Sequence, residues 1–163
     1  MAIEYKKMFS ASWKRAATFA GAWAAIVGAF SLIMNAVPDL IPLLLIILAP
    51  ISLVVPAAIG FVTTKTYAAN GKIELKPAAA NGAISGIVYA IVMIAVALVF
   101  IFFNYMAVAF VWGSSEGMGA ASEIVVQGIL VMITTLLLGL PILALIGIVS
   151  GGIGGAIYSY SKK

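Results

Sequence analysis

The chain of 163 residues is 64% hydrophobic and only 9% charged, with nine basic and five acidic residues and a net charge of +4. Its mean hydropathy is +1.22. Soluble domains carry about 25% charged residues, and one small core cannot hide this much apolar surface from water, so lipid is the expected solvent and a separate soluble domain has no room. Cysteine and histidine are both absent. That excludes disulfides and thiolate chemistry, and it removes the usual general base and the commonest transition-metal ligand.

Residues 1–15 form a basic N-terminal arm with Lys6, Lys7, Lys14 and Arg15. Tyr5, Phe9 and Trp13 recur at i, i+4, i+8, which predicts a short interfacial helix lying on the membrane surface. A cleaved signal peptide is the competing reading. The apolar run after Arg15 is too long for one, and its small-residue sites Ala22 and Ala25 lie inside the run.

Four apolar stretches then exceed the roughly 20 residues needed to cross a hydrocarbon core. They are expected at about 16–37, 40–69, 77–111 and 124–158, followed by a tail over 159–163. Helices are the default because backbone in lipid must satisfy its own hydrogen bonds, and the alternation of a membrane β-barrel is missing. Between the first two spans, Asp39 suits an N-cap in the turn Pro38–Asp39. After the second, Asn70–Gly71 reads as a helix stop, and Pro77 fits the first turn of the third. Trp112 to Glu123 reads as a loop, with Trp112, Tyr158 and Tyr160 as aromatic belt residues.

All nine basic residues fall on the arm, on the loop between spans two and three (Lys65, Lys72, Lys76) and on the tail (Lys162, Lys163). The opposite side holds only Asp39, Glu116 and Glu123. The positive-inside rule then predicts both termini in the cytoplasm and location in the plasma membrane. The expected fold class is an all-α integral membrane protein, a four-transmembrane-helix bundle forming one domain over 1–163.

In lipid, small residues mark where helices touch. Gly147, Gly151 and Gly155 give two overlapping GxxxG steps in the fourth span, reinforced by Gly152 and Gly154. Gly82 and Gly86 give another in the third, and Ala17, Gly21, Ala24, Ala25 and Gly28 line the first. These predict one close-packed seam among spans one, three and four, with a homodimer interface as the alternative. The third and fourth apolar runs reach about 52 Å as straight helices, well beyond a core of about 30 Å. Their outer parts, residues 99–111 and 124–131, therefore need a partner.

Prolines interrupt the second span at Pro42, Pro50 and Pro56 and the fourth at Pro141, after Gly139. Paired breaks can mark a transport site, which makes Pro50, Pro56, Thr134, Thr135 and Pro141 the candidate pore or kink residues. A faint internal repeat accompanies them: Arg15–Ala22 resembles residues 76–83, and Pro56–Gly60 resembles residues 150–154. Against transport coupling, no ionisable side chain lies in the middle of any span. The polar residues there are Ser31, Asn35, Ser52, Ser85, Tyr89, Asn104, Gln127, Thr134, Thr135 and Ser150, expected to bond between helices or back to their own turns. Glu116, Glu123 and Ser114–Ser115 lack a base partner, so no enzyme, cofactor or metal is expected. The basic residues suit a membrane surface rather than nucleic acid.

The glycine-rich stretch Ser150-Gly-Gly-Ile-Gly-Gly-Ala156 before a short charged tail, with Asn81-Gly-Ala-Ile-Ser-Gly86 and the topology, resembles the small uncharacterised four-span membrane proteins common in archaea. That resemblance implies a multi-pass membrane protein and no particular activity. The function expected is a non-catalytic subunit or scaffold packing against itself or other membrane subunits. The alternative is a small uncoupled channel or facilitator for ions or small solutes.

Overall fold

The computed structural model describes residues 5–36, 41–69 and 71–162. The described residues are almost all helical, with no strand among them. The helices are α1 (Tyr5–Ala36), α2 (Ile41–Tyr67), α3 (Leu75–Glu116), α4 (Met118–Thr134) and α5 (Leu140–Ser161), and a π-turn over Thr135–Gly139 joins the last two. Three stretches are long and apolar enough to cross a membrane: Ile46–Tyr67, Leu75–Ser115 and the 44-residue run Met118–Ser161. Large apolar side chains cover their outward faces, such as Leu53, Ile91, Phe103, Leu137 and Leu145. This is an inside-out distribution that only lipid tolerates at such density. The expected turn Pro38–Asp39, the side chains of Pro42, Ser31 and Asn35, and Asn70 lie outside the described residues.

Four expectations change. The N-terminal segment is not a separate surface helix, because α1 runs unbroken from Tyr5. Met8 and Ser12 are buried in the bundle, while Phe9 and Trp13 face out. Among the described side chains of α1 the buried residues are Met8, Ser12, Ala16, Ala20, Ala24 and Gly28, one every four residues. Each step advances about 40° around a helix of 3.6 residues per turn, so the stripe winds, as i±4 ridges do when helices cross. The aromatic spacing was legible; the small-residue stripe beneath it, running through the basic arm, is what decides the burial.

The loop expected over residues 112–123 is absent. Helix α3 continues to Glu116, α4 starts at Met118, and only Gly117 lies between them. Its φ of 95° and ψ of 173° form a conformation open to glycine and to little else. The α3–α4 hairpin is therefore long: the 42 residues of α3 reach roughly 63 Å. Gly28 of α1 abuts the Phe100 ring of α3, which sets Ala36 level with about residue 108. The hairpin thus projects past the end of α1 by roughly eight residues, or about 12 Å.

The fourth stretch is not a uniform α-helix, since the π-turn precedes Pro141. Finally, the residue that ends α2 in the left-handed region is Ala69, at φ 48°. Ala68 and Ala69 donate to the carbonyls of Thr64 and Thr66 in that turn. An L-residue in this region costs about 1–2 kcal/mol, so Ala69→Gly is expected to stabilise the protein by about 0.5–1 kcal/mol after the entropy of glycine is counted. Chemical denaturation in detergent would show it. A destabilised Ala69→Gly protein would contradict the reading.

Candidate functional site: a glycine seam and a buried polar layer

The closest packing in the molecule joins α3 and α5. The facing pairs Ala78–Gly155, Gly82–Gly151, Gly86–Gly147, Ile94–Gly139 and Tyr105–Gly128 keep one antiparallel register from the basic end to the outer hairpin. A Cβ added at Gly82, Gly86, Gly147, Gly151 or Gly155 would run into a backbone carbonyl of the facing helix. At such distances the backbones themselves are in contact, the geometry that Cα–H···O interactions require.

The third wall of this seam is α2, not α1. A Cβ at Gly60 would meet the carbonyl of Gly151, and one at Gly154 the carbonyl of Ala57. Among the described residues α1 does not touch α5 at all. Of its predicted packing glycines, Gly21 has nothing within 4 Å of an added Cβ, and Gly28 makes room for the ring of Phe100 on α3. The physical reason is size: α1 opposes the bulky part of α3, where Tyr89 and Val88 fill the core with Ala16, Ala20 and Ile59. A small residue there receives a side chain instead of a backbone. The repeated motifs behave differently from one another. Residues 56–60 and 150–154 lie abreast on parallel helices with reciprocal contacts, and Phe61 meets Tyr158 edge to face at 5.4 Å one turn further on.

Directly beside the seam, toward the basic end, lies a layer of side chains the sequence reading did not assemble. Ser12, Thr63, Thr64, Asn81 and Ser85 are all fully buried. Ser12 donates to Asn81 Oδ1 at 2.8 Å, and Asn81 Nδ2 donates to Thr64 Oγ1 at 3.2 Å. Thr64 in turn donates to the Ala78 carbonyl at 3.3 Å. Ser85 donates to the Asn81 carbonyl at 3.0 Å and shares a 2.6 Å bond with Thr63, which also lies 2.8 Å from the Ile59 carbonyl. One asparagine and four hydroxyls thus tie α1, α2 and α3 together, each polar atom having a partner. The adjacent Thr63–Thr64 and the Asn81–Ser85 spacing were the available signals, but a hydroxyl can always bond back to its own turn, so sequence alone could not pair them.

At the rim of this layer Arg15 Nη1 donates to Thr66 Oγ1 at 2.6 Å. Tyr158 Oη and Ser159 Oγ donate to the carbonyls of Gly71 and Ile73 at 3.0 and 2.8 Å. The end of α5 therefore pins the loop that carries Lys72. Further along the bundle Trp23 Nε1 is the one buried side-chain polar atom without a hydrogen-bond partner among the described residues.

Of the candidate pore or kink residues, Pro56 is buried beside the seam, Thr135 is half-buried in the π-turn, and Pro50, Thr134 and Pro141 face outward, with Thr134 spending its hydroxyl on the Leu130 carbonyl at 2.9 Å. An open groove of about 700 Å³ runs between the outer part of α1 and α3, lined by Val27, Gly28, Val96, Phe100 and Asn104 among others. It is apolar apart from Asn104 and Tyr105. No three of the described His, Cys, Asp or Glu residues gather in a metal-binding group. Chemically, the layer and the seam can hold helices in register, and the layer's amide and hydroxyls do not ionise in the ordinary pH range. In comparisons with family models, curated proteins and solved structures, the chain matches none.

Proposed function

We propose that this protein is a non-catalytic membrane subunit or scaffold that crosses the bilayer four times, with both termini and the basic loop in the cytoplasm, and joins an assembly through its projecting α3–α4 hairpin. The observation that carries this reading is the hairpin itself. Beyond the end of α1 it exposes large apolar side chains next to the serines and Glu123 of its tip: Phe110 is 80% and Met118 90% exposed, and Val111 and Trp112 are exposed as well. Residues this far along α3 stand beyond a hydrocarbon core of about 30 Å measured from the basic end, where exposed apolar surface costs free energy unless a protein covers it. The inner end supports the orientation, since Arg15, Lys65, Lys72, Lys76 and Lys162 all belong to helix ends and loops on one side of the bundle.

Native mass spectrometry of the protein extracted gently from its source membrane tests this. The expected result is a complex with itself or another subunit, lost in Phe110→Ser/Met118→Ser while the bundle stays folded. A lone monomer from native membrane would sink the reading. The channel alternative would have to place its lining between copies, because Thr134 and Pro141 face away from the bundle; ion flux through liposomes that drops in Thr134→Val/Thr135→Val would favour it.

A further inference from the structure

The π-turn divides the run Met118–Ser161 into halves held in different ways. Below it, α5 is clamped on two sides, its glycines against backbone carbonyls of α3 and α2. Above it, α4 packs on α3 and on no other helix among the described residues. That contact includes Gly128 against Tyr105 and Ala121 near Gly113. The turn buries no side chain of its own, and Leu136, Leu137 and Leu138 all face outward.

Pro141 accounts for the turn. It brings no N–H to the carbonyl four residues back, Leu137, and its ring crowds that carbonyl, so the helix must kink or widen. A single π-turn is the wide solution. At its other end α4 joins α3 through Gly117 alone, in its glycine-only conformation, with open space around it. Helix α4 is thus a rod of 17 residues with a compliant joint at each end and packing on one side.

We propose that α4 is a hinged strap: with Thr135–Gly139 and Gly117 as its joints, it rolls and tilts as one body against Tyr105 of α3 while α5 stays fixed in the glycine seam. The device follows from the packing and does not depend on what the hairpin docks to. Rolling α4 slides Gly128 across the Tyr105 ring, and it changes the shape of the outer hairpin without moving the polar layer.

The chain has no cysteine, so spin labels can be placed at will on exposed positions. In lipid nanodiscs, the pair Ser122→Cys/Ile153→Cys reports α4 against α5, and Ile87→Cys/Ile153→Cys reports α3 against α5. The expected result from pulsed dipolar spectroscopy is a 122–153 distance distribution about twice as wide as that of the reference pair, and narrowed in Pro141→Ala. A 122–153 distribution as narrow as the reference in the otherwise native chain overturns the proposal, whatever Pro141→Ala does. A broad one that Pro141→Ala leaves unchanged, with the 87–153 pair still narrow, overturns the assignment of the pivot to the π-turn.

Discussion

Gly86→Ala and Gly151→Ala are each expected to destabilise the protein by about 2–3 kcal/mol, the upper part of the range for overpacking a filled site. Each added methyl would occupy the space of a facing carbonyl, that of Gly147 for Gly86 and that of Gly82 for Gly151. Two helix backbones cannot both shift without breaking the register that runs on to Gly60, Gly154 and Gly155. The control is Gly21→Ala, where the new methyl meets nothing within 4 Å and stability should stay within about 0.5 kcal/mol of the parent. Unfolding titrations in mixed micelles would separate them. Equal losses at positions 21, 86 and 151 would show that glycine content, not its placement, matters. The effect also bears on the proposed hinge, because a loosened α5 no longer offers α4 a fixed base.

The second large effect is expected at Asn81. Asn81→Ala removes the acceptor of Ser12 and the donor to Thr64 and leaves a void at a fully buried position. A buried group stripped of its partner costs about 1–3 kcal/mol, and the loss should be about 2 kcal/mol overall. Measured interhelical bonds in membranes average about 0.6 kcal/mol each and reach about 1.7. A double-mutant cycle of Ser12→Ala with Asn81→Ala should therefore return a coupling within that range. No member of the layer ionises, so the loss should be the same from about pH 5 to pH 8, where a histidine-based switch would respond. Additive single losses would mean that the 2.8 Å contact between Ser12 and Asn81 contributes nothing, and α1 would then be held by its stripe of small residues and the Arg15–Thr66 bond.

Much of the architecture was legible in the residues because lipid imposes simple rules. Long apolar runs in this chain had only helices available to them; α2 lies inside the expected stretch 40–69, whereas α3 runs on past 111 to Glu116 and α4 begins at Met118, before 124. The GxxxG steps of α3 and α5 stood out because only small residues permit backbones to touch, and the structure sets those glycines face to face. The errors share a cause. The stretch 112–123, rich in glycine and serine, reads as a loop, yet both helices continue through it because the hairpin partner supplies packing that a propensity scale cannot see. The arm over residues 5–15 reads as a surface helix from its aromatic face, but Met8 and Ser12 on the other face find partners in the bundle.

What the sequence by itself determined is the helical class, the apolar character of its long helices and the lack of cysteine and histidine chemistry, because each depends on composition or on spacing within a single helix. What only the tertiary structure decided is which helix faces which. Gly60 rather than Gly21 completes the glycine seam, Ser12 and Asn81 meet across the bundle, and a π-turn rather than a plain kink answers Pro141. A small residue or a hydroxyl specifies that something can come close. Only the packed neighbours specify what does.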